Sequence, residues 1–263
     1  MVTGANAGIG KAIAADLIAR GERVAMVCRD EARGRRAAEE LGGTTRLVVA
    51  DLSDRDGVRA AAAGLEALEE PLSALILNAG LWPTARELTG DGYERSFAVN
   101  HLGTLGLALS LRERLVRDRT HVVAVGAGLM VMGRPDLARV PTGEDFHALR
   151  TYADTKLTAA LGLRALAREL DGTGVVLSVV HPGVFDTGLG VGGRWYDPLV
   201  RLVKRFWRRA DQGGRAPVAL AYRDDVHGAW FDELERRPWP PITDDEALQR
   251  ACLDLAAGWL GDG

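Results

Sequence analysis

The 263-residue sequence predicts an α/β fold in which one doubly wound parallel sheet carries helices on both faces. Three observations point there. Short, uninterrupted apolar runs recur along the chain, amphipathic stretches of helix length separate them, and the first such stretch follows a glycine-rich turn. Only Met1-Val2-Thr3 precede Gly4, so the first strand, central in sheets of this kind, is expected to be short, through a late recorded start or a fold that tolerates a clipped strand. Buried strands are expected at Val24–Val27, Leu47–Val49, Leu75–Leu77, Val122–Val125 and Val175–Val180. Helices are expected over Lys11–Arg20, Asp30–Leu41, Ser53–Glu69 and Tyr93–Arg117. From Gly188 to Arg215 the rhythm breaks into glycines, Pro198 and an apolar-basic stretch, which reads as a lid over a ligand site at the carboxyl ends of the strands. The whole chain, 1–263, is thus expected to be one Rossmann-type domain.

Bulk properties narrow the partners. A net charge of -3 with 26% charged residues offers no electrostatic footprint for nucleic acid, so a small molecule is the expected partner. Cys28 and Cys252 stand in no metal or disulfide spacing, which fits a reducing cytoplasm and argues against a metal site. No segment is long and apolar enough for a transmembrane helix, and no signal peptide is evident. Of the 33 basic residues only Lys11, Lys156 and Lys204 are lysine, an arginine bias expected of a GC-rich bacterial genome.

Thr3-Gly4-Ala5-Asn6-Ala7-Gly8-Ile9-Gly10 lies between the first strand and a helix, where a phosphate-cradling loop must sit. Its glycines allow a tight turn, let backbone N–H groups approach a pyrophosphate and let the following helix aim its positive end at the phosphates. A ligand-free glycine turn is the bland alternative. Where the second strand ends, the chain offers Cys28-Arg29-Asp30. Arg29, with Arg33, suits a ribose 2′-phosphate and so favours NADP(H). If instead Asp30 takes the ribose hydroxyl, NAD(H) is favoured.

Tyr152-Ala153-Asp154-Thr155-Lys156 sets a phenol and an ammonium four residues apart, hence on one helical face. That spacing is expected to let the lysine charge lower the tyrosine pKa and tune the phenol for proton transfer.

Taken in order, Thr3 to Gly10, Asp51-Leu52, Asn78-Ala79-Gly80, Asn100, Tyr152 with Lys156, and His181-Pro182-Gly183 with Thr187 resemble the short-chain dehydrogenase/reductase family. The chain is most similar to its retinol-dehydrogenase-like branch, which Asp211-Gln212-Gly213 and Gly228-Ala229-Trp230-Phe231 echo near the C-terminal end. The resemblance implies that Gly4, Asn6, Gly8, Ile9 and Gly10 bind the dinucleotide, that Asp51 and Leu52 meet its adenine, and that Asn78, Ala79 and Gly80 support it. It implies that Asn100 holds a water in a relay with Lys156, that Tyr152 and Lys156 also touch the cofactor, and that Pro182, Gly183, Val184 and Thr187 border the nicotinamide. Plainer roles exist: Asp51 and Ser53 as helix caps, and Asn78 as a partner for backbone groups.

One position departs from the family. The strand before the Tyr helix should end in a serine that donates to the substrate carbonyl, but Ala127 falls there, 25 residues before Tyr152. Losing such a donor costs a few kcal/mol, on the order of a hundredfold to a thousandfold in rate. Thr151, Thr155 or lid residues are candidate replacements.

Three readings follow. The first is an NADP-dependent ketoreductase or alcohol dehydrogenase acting on a hydrophobic small molecule, such as a secondary-metabolite intermediate. In the second, Tyr152 serves as acid or base for non-redox cyclisation, dehydration or isomerisation. The third is a non-catalytic NADP-binding protein. Trp82, Trp195, Tyr196 and Trp207 are candidates for lining an apolar pocket, or for plain packing, and Tyr93–Arg117 is a candidate homodimer face.

Overall fold

A computed structural model describes residues 1–183, 185–186, 208–209 and 213–261. The expectations for Val184, Thr187, Trp195, Tyr196, Trp207, Asp211 and most of the 188–215 lid lie outside the described residues.

Alternation of buried strand and helix runs through the chain as β1 (Val2–Thr3), α1 (Gly8–Ala19), β2 (Val24–Cys28), α2 (Glu31–Leu41), β3 (Thr45–Val49), α3 (Arg55–Glu66) and β4 (Ala74–Leu77). It continues with α4 (Arg95–Phe97), a π-helical segment (Ala98–Gly103), α5 (Thr104–Ser110), α6 (Arg112–Asp118), β5 (His121–Val125), a 3₁₀ turn (Gly128–Met132), α7 (Ala148–Glu169) and β6 (Val176–His181). Two-residue strands β7 (Phe185–Asp186) and β8 (Arg208–Arg209) pair in parallel, followed by α8 (Arg215–Leu220), β9 (Trp230–Asp232), β10 (Glu235–Arg237) and α9 (Glu246–Gly261).

The eight-stranded sheet has the order β10-β9-β6-β5-β4-β1-β2-β3, parallel except where β10 turns back on β9. Short as it is, β1 pairs on both sides, Val2 with Met26 and Ile76, and so takes the centre. Cores fill both faces. Ile13, Ala14 and Leu17 of α1, Ala37 of α2 and Val218 of α8 pack on one, and residues of α3, α5, α7 and α9 pack on the other. A Rossmann-type sheet follows from this arrangement. β3 differs from the expected strand buried on both faces: it is the sheet edge, and Val49 is exposed.

Two helix expectations shift for identifiable reasons. The Ser53–Glu69 helix starts at Arg55, because Asp54, rather than Asp51 or Ser53, caps it by accepting from the N–H groups of Asp56 and Gly57. The single Tyr93–Arg117 helix is instead α4, a π segment, α5 and α6, broken where Asn100 and its neighbours turn inward. Part of this segment packs within the chain, while Ser110, Glu113 and Arg117 stay exposed. Leu105, Leu107 and Ala108 are buried, and α9 lies so close that a Cβ on Gly106 would meet Trp259 at 3.2 Å. No helix of the described residues is long and apolar enough to cross a membrane.

Candidate active site

At the carboxyl end of β1, the chain must leave the sheet and start a helix within a few residues. Gly4 and Gly8 do so with φ of +64° and +53°, the left-handed region that favours glycine. Gly10 answers a different demand: a Cβ there would lie 2.2 Å from the Gly4 carbonyl oxygen and 2.5 Å from Asn78 Nδ2. α1 has no side-chain cap at Ala7 and no acidic residue in its first turn, so its leading N–H groups face out of the loop with the helix dipole behind them. Residues with these properties fit a dinucleotide pyrophosphate. Asn6, Gly8 and Ile9 are half-buried along the loop, and Ile9 also packs on the core below.

β4 supplies the opposite wall. Thr3 Oγ1 accepts from the N–H groups of Asn78 (2.9 Å) and Ala79 (2.8 Å), while Asn78 Nδ2 donates to the Thr3 carbonyl (2.9 Å). Asn78 therefore does satisfy backbone groups, and in doing so it fixes the Asn78-Ala79-Gly80 turn against the glycine loop. Thr3 had no assigned role in the sequence, although its position just before Gly4 is the signal that would have marked it.

Beside the ends of β2 and β3, an open depression of about 690 Å³ is lined by Arg29, Asp30, Glu31, Ala32 and Arg35. Asp30 is already engaged as the α2 cap, accepting from Arg33 N–H at 2.9 Å, and Arg35 pairs with Glu31. Arg29 stays half exposed, 3.8 Å from Asp51 Oδ2. Asp51 Oδ1 accepts from the Ser53 N–H and hydroxyl, whereas Leu52 is buried in the core. On the loop side of β2, burial pushes the Cys28 thiol up.

Tyr152 and Lys156 lie one turn apart on α7, both buried. The Lys156 ammonium donates to the Val125 carbonyl at 3.0 Å, and burial draws it down to about 8. The Trp82 indole stacks on the Tyr152 ring with centroids 4.5 Å apart and planes at 21°. Burial pushes the phenol up to about 12, which corrects the expectation that Lys156 would lower it: desolvation, not the lysine charge, governs Tyr152 here.

Asn100 is the polar hub. From the π segment it accepts from Leu81 N–H (2.7 Å) and donates to both the Leu81 carbonyl (2.9 Å) and Thr155 Oγ1 (3.0 Å). Thr155 in turn donates to the Tyr152 carbonyl at 3.0 Å, so its hydroxyl is committed and it is no replacement donor for the missing serine. Thr151 Oγ1, also buried, accepts from His147 N–H. A cavity of about 10 Å³, lined by Asn100, Thr104, Val125 and Lys156 among others, has room for one water.

Two residues beyond β5, Ala127 is a buried methyl in extended conformation that leads into the 3₁₀ turn. The 3₁₀ turn after it packs on α7, since a Cβ on Gly133 would sit 2.7 Å from the Ala153 carbonyl. Gly128 lies against the His181 imidazole, whose pKa is lowered by burial. Pro182 and Gly183 follow at the end of β6, with Gly183 at φ +102°. The structure thus gathers Gly4, Asn6, Gly8, Ile9, Gly10, Asn78, Ala79, Gly80, Asn100, Ala127, Tyr152, Lys156, Pro182 and Gly183 at the carboxyl edge of the sheet, with Arg29 and Asp51 at its β2–β3 end.

Known proteins share this fold. Residues 1–192 match the family model for short chain dehydrogenase. Retinol dehydrogenase 14 of Mus musculus is 33% identical over 289 residues, an alignment covering 99% of this chain and 85% of that protein. A crystal structure of an uncharacterized protein from Mycobacterium paratuberculosis aligns with a TM-score of 0.79 at 26% identity, covering 98% of this chain and 91% of that one. A short chain dehydrogenase from Burkholderia cenocepacia, solved in complex with NADP, aligns at 0.66 and 25% identity over 88% of this chain and 94% of that one. The sheet order, the glycine loop and the Tyr/Lys helix agree with these likenesses, and the chain belongs to the short-chain dehydrogenase/reductase family of oxidoreductases.

Proposed function

We propose that this protein is an NADPH-dependent reductase that converts a carbonyl of a hydrophobic small molecule to an alcohol. The observation that carries the reading is the buried Tyr152 phenol one helical turn from the buried Lys156 ammonium, beside a glycine loop with the properties of a pyrophosphate cradle.

The glycine loop, Asn78 to Gly80, Pro182 and Gly183 would hold the cofactor along the strand ends. Arg29 would take the 2′-phosphate, a preference supported by the commitment of Asp30 to capping α2. The relative from Burkholderia cenocepacia solved with NADP supports the same choice. Bound NADPH supplies the hydride, and the chain supplies the rest. With its pKa raised to about 12, Tyr152 is protonated at neutral pH and donates its hydroxyl proton to the carbonyl oxygen as the alcohol forms. Carbonyl reduction uses this protonated phenol, whereas alcohol oxidation would use the tyrosinate as a base. Lys156, protonated below about 8, holds a positive charge on the same face for ribose hydroxyls and the developing anion. The one-water cavity between Asn100 and Lys156 supports a route for returning the proton to Tyr152. The Trp82 indole offers apolar surface beside the phenol, which suits a hydrophobic substrate.

Ala127 favours a second reading. Without a donor at that position, the same phenol could run a non-redox dehydration, isomerisation or cyclisation. One experiment separates the two. Purified protein incubated with NADPH and a panel of hydrophobic ketones and aldehydes is expected to consume the cofactor, and Ala127→Ser is expected to raise turnover by about tenfold or more. Tight NADPH binding without consumption for any carbonyl would sink the reductase and leave the non-redox reading.

A further inference from the structure

We propose that Trp82 is a positioning residue for Tyr152, holding by ring stacking the phenol that a hydroxyl at position 127 cannot hold in this chain. The inference rests on the assignment of Tyr152 as the proton donor. Three observations at the ring itself converge on it. Among the described residues no hydrogen bond is made to the Tyr152 hydroxyl, and the side chain two residues beyond β5 is the methyl of Ala127. The ring instead meets the Trp82 indole face to face, with centroids 4.5 Å apart.

Trp82 is itself placed by a closed circuit. Asn100 grips the backbone of Leu81 at two points, its Oδ1 accepting from the Leu81 N–H at 2.7 Å and its Nδ2 donating to the Leu81 carbonyl at 2.9 Å. This fixes the direction in which the chain enters Trp82. The same Nδ2 reaches Thr155 Oγ1 at 3.0 Å, and Thr155 donates to the Tyr152 carbonyl at 3.0 Å. Backbone and ring of Tyr152 are therefore tied to one amide, the first through Thr155 and the second through Leu81 and Trp82.

Nor does the loop have room to take another path. A Cβ on Gly80 would come 3.1 Å from Lys156 Nζ and 3.2 Å from Asn100 Oδ1, so the strand-end turn is threaded between the two polar groups before it presents the indole.

Stacking and a hydroxyl contact restrain a phenol differently. A hydroxyl fixes the oxygen and leaves the ring free to rock, whereas an indole against the ring face fixes the plane and excludes water from one side. The chain thereby keeps an ordered proton donor in a site with one polar group fewer.

The test compares Trp82→Ala, Trp82→Phe, Ala127→Ser and the double variant Trp82→Ala with Ala127→Ser, using two readouts. The first needs no turnover: tyrosinate absorbance of each protein minus that of its Tyr152→Phe counterpart, read at a pH between the ordinary tyrosine value of 10.0 and the 12 to which burial raises this phenol. Trp82→Ala is expected to show the Tyr152 signal there, the parent to lack it, and Trp82→Phe to resemble the parent. The second is steady-state kinetics with a carbonyl that the parent reduces. Trp82→Ala is expected to lower kcat about tenfold, equivalent to one aromatic stack, with KM nearly unchanged. The loss should shrink in the Ala127→Ser background. An unchanged Tyr152 ionisation in Trp82→Ala overturns the proposal, as does an equal loss in both backgrounds or an effect on KM alone, which would make Trp82 a wall of the substrate pocket. If no carbonyl is reduced, the reductase assignment fails, and the absorbance arm still decides the role of Trp82.

Discussion

The two walls of the site are built from different materials. On the β1 side, contacts are made by backbone: Gly4 and Gly8 take left-handed φ, Gly10 presses on the Gly4 carbonyl, and α1 offers uncapped N–H groups. On the β5 and α7 side, the work falls to side chains: Tyr152, Asn100, Thr155 and Trp82 hold one another, Lys156 reaches the Val125 carbonyl, and Ala127 withholds a hydroxyl. A wall of backbone tolerates no added atoms, because nothing in it can rotate aside. A wall of side chains tolerates rearrangement, so a departure such as Ala127 can be met by a neighbour such as Trp82.

That contrast can be broken experimentally. The largest effect is expected on the backbone wall, where Gly10→Ala drives a methyl into a carbonyl. A stability loss of about 3 kcal/mol is expected in thermal unfolding, with NADPH affinity down about a hundredfold by titration. A variant that folds and binds normally would show that the loop is more yielding than its contacts indicate.

Lys156→Met probes the other wall and should have opposite effects on activity and stability. Burial lowers the folded-state pKa of Lys156 from 10.5 to about 8, so below about 8 the folded protein carries the cost of a charge that the unfolded chain keeps solvated. The variant is expected to abolish turnover yet unfold about 3 kcal/mol less readily at neutral pH without cofactor, with the advantage closing as the pH rises from 8 to 10.5. Equal stability of parent and variant across that range would mean that the ammonium is not strained by burial.

Smallest is the effect at the edge of the backbone wall. Arg29→Ala is expected to weaken NADPH binding about tenfold while leaving NADH unchanged, since one exposed charge contact is removed. Parallel weakening of both cofactors would assign Arg29 to the fold, through Asp51, and not to the phosphate.

The same division explains what could be read from the sequence. Strands β2, β4, β5 and β6 and the glycine loop were legible because uninterrupted apolar runs and glycine spacing are local properties. The Tyr152 to Lys156 spacing was legible for the same reason. What depends on distant partners was not. The helix expected over Tyr93–Arg117 breaks into a π segment where Asn100 reaches across to Leu81 and Thr155, a contact that no window of the sequence contains. Thr155 reads from the sequence as an available donor, but its hydroxyl is bonded to the Tyr152 carbonyl. The tyrosine pKa lies opposite to expectation because helix spacing reveals the lysine but hides the burial of the phenol, to which the loop after β4 brings the Trp82 ring. Covering of the α5 face by α9 was equally invisible, since it joins segments about 150 residues apart.

That last packing has a consequence for how the chain acquires its structure. Trp259 and Cys252 of α9 are buried against α5 and α7, Trp259 donates to Asp91, and Arg59 reaches the Leu260 carbonyl. Until the ribosome has released α9, the apolar flank of α5 and α7 has no cover from within the chain. Burying that flank therefore waits on a helix about 150 residues away in sequence, a long-range contact that is expected to form slowly.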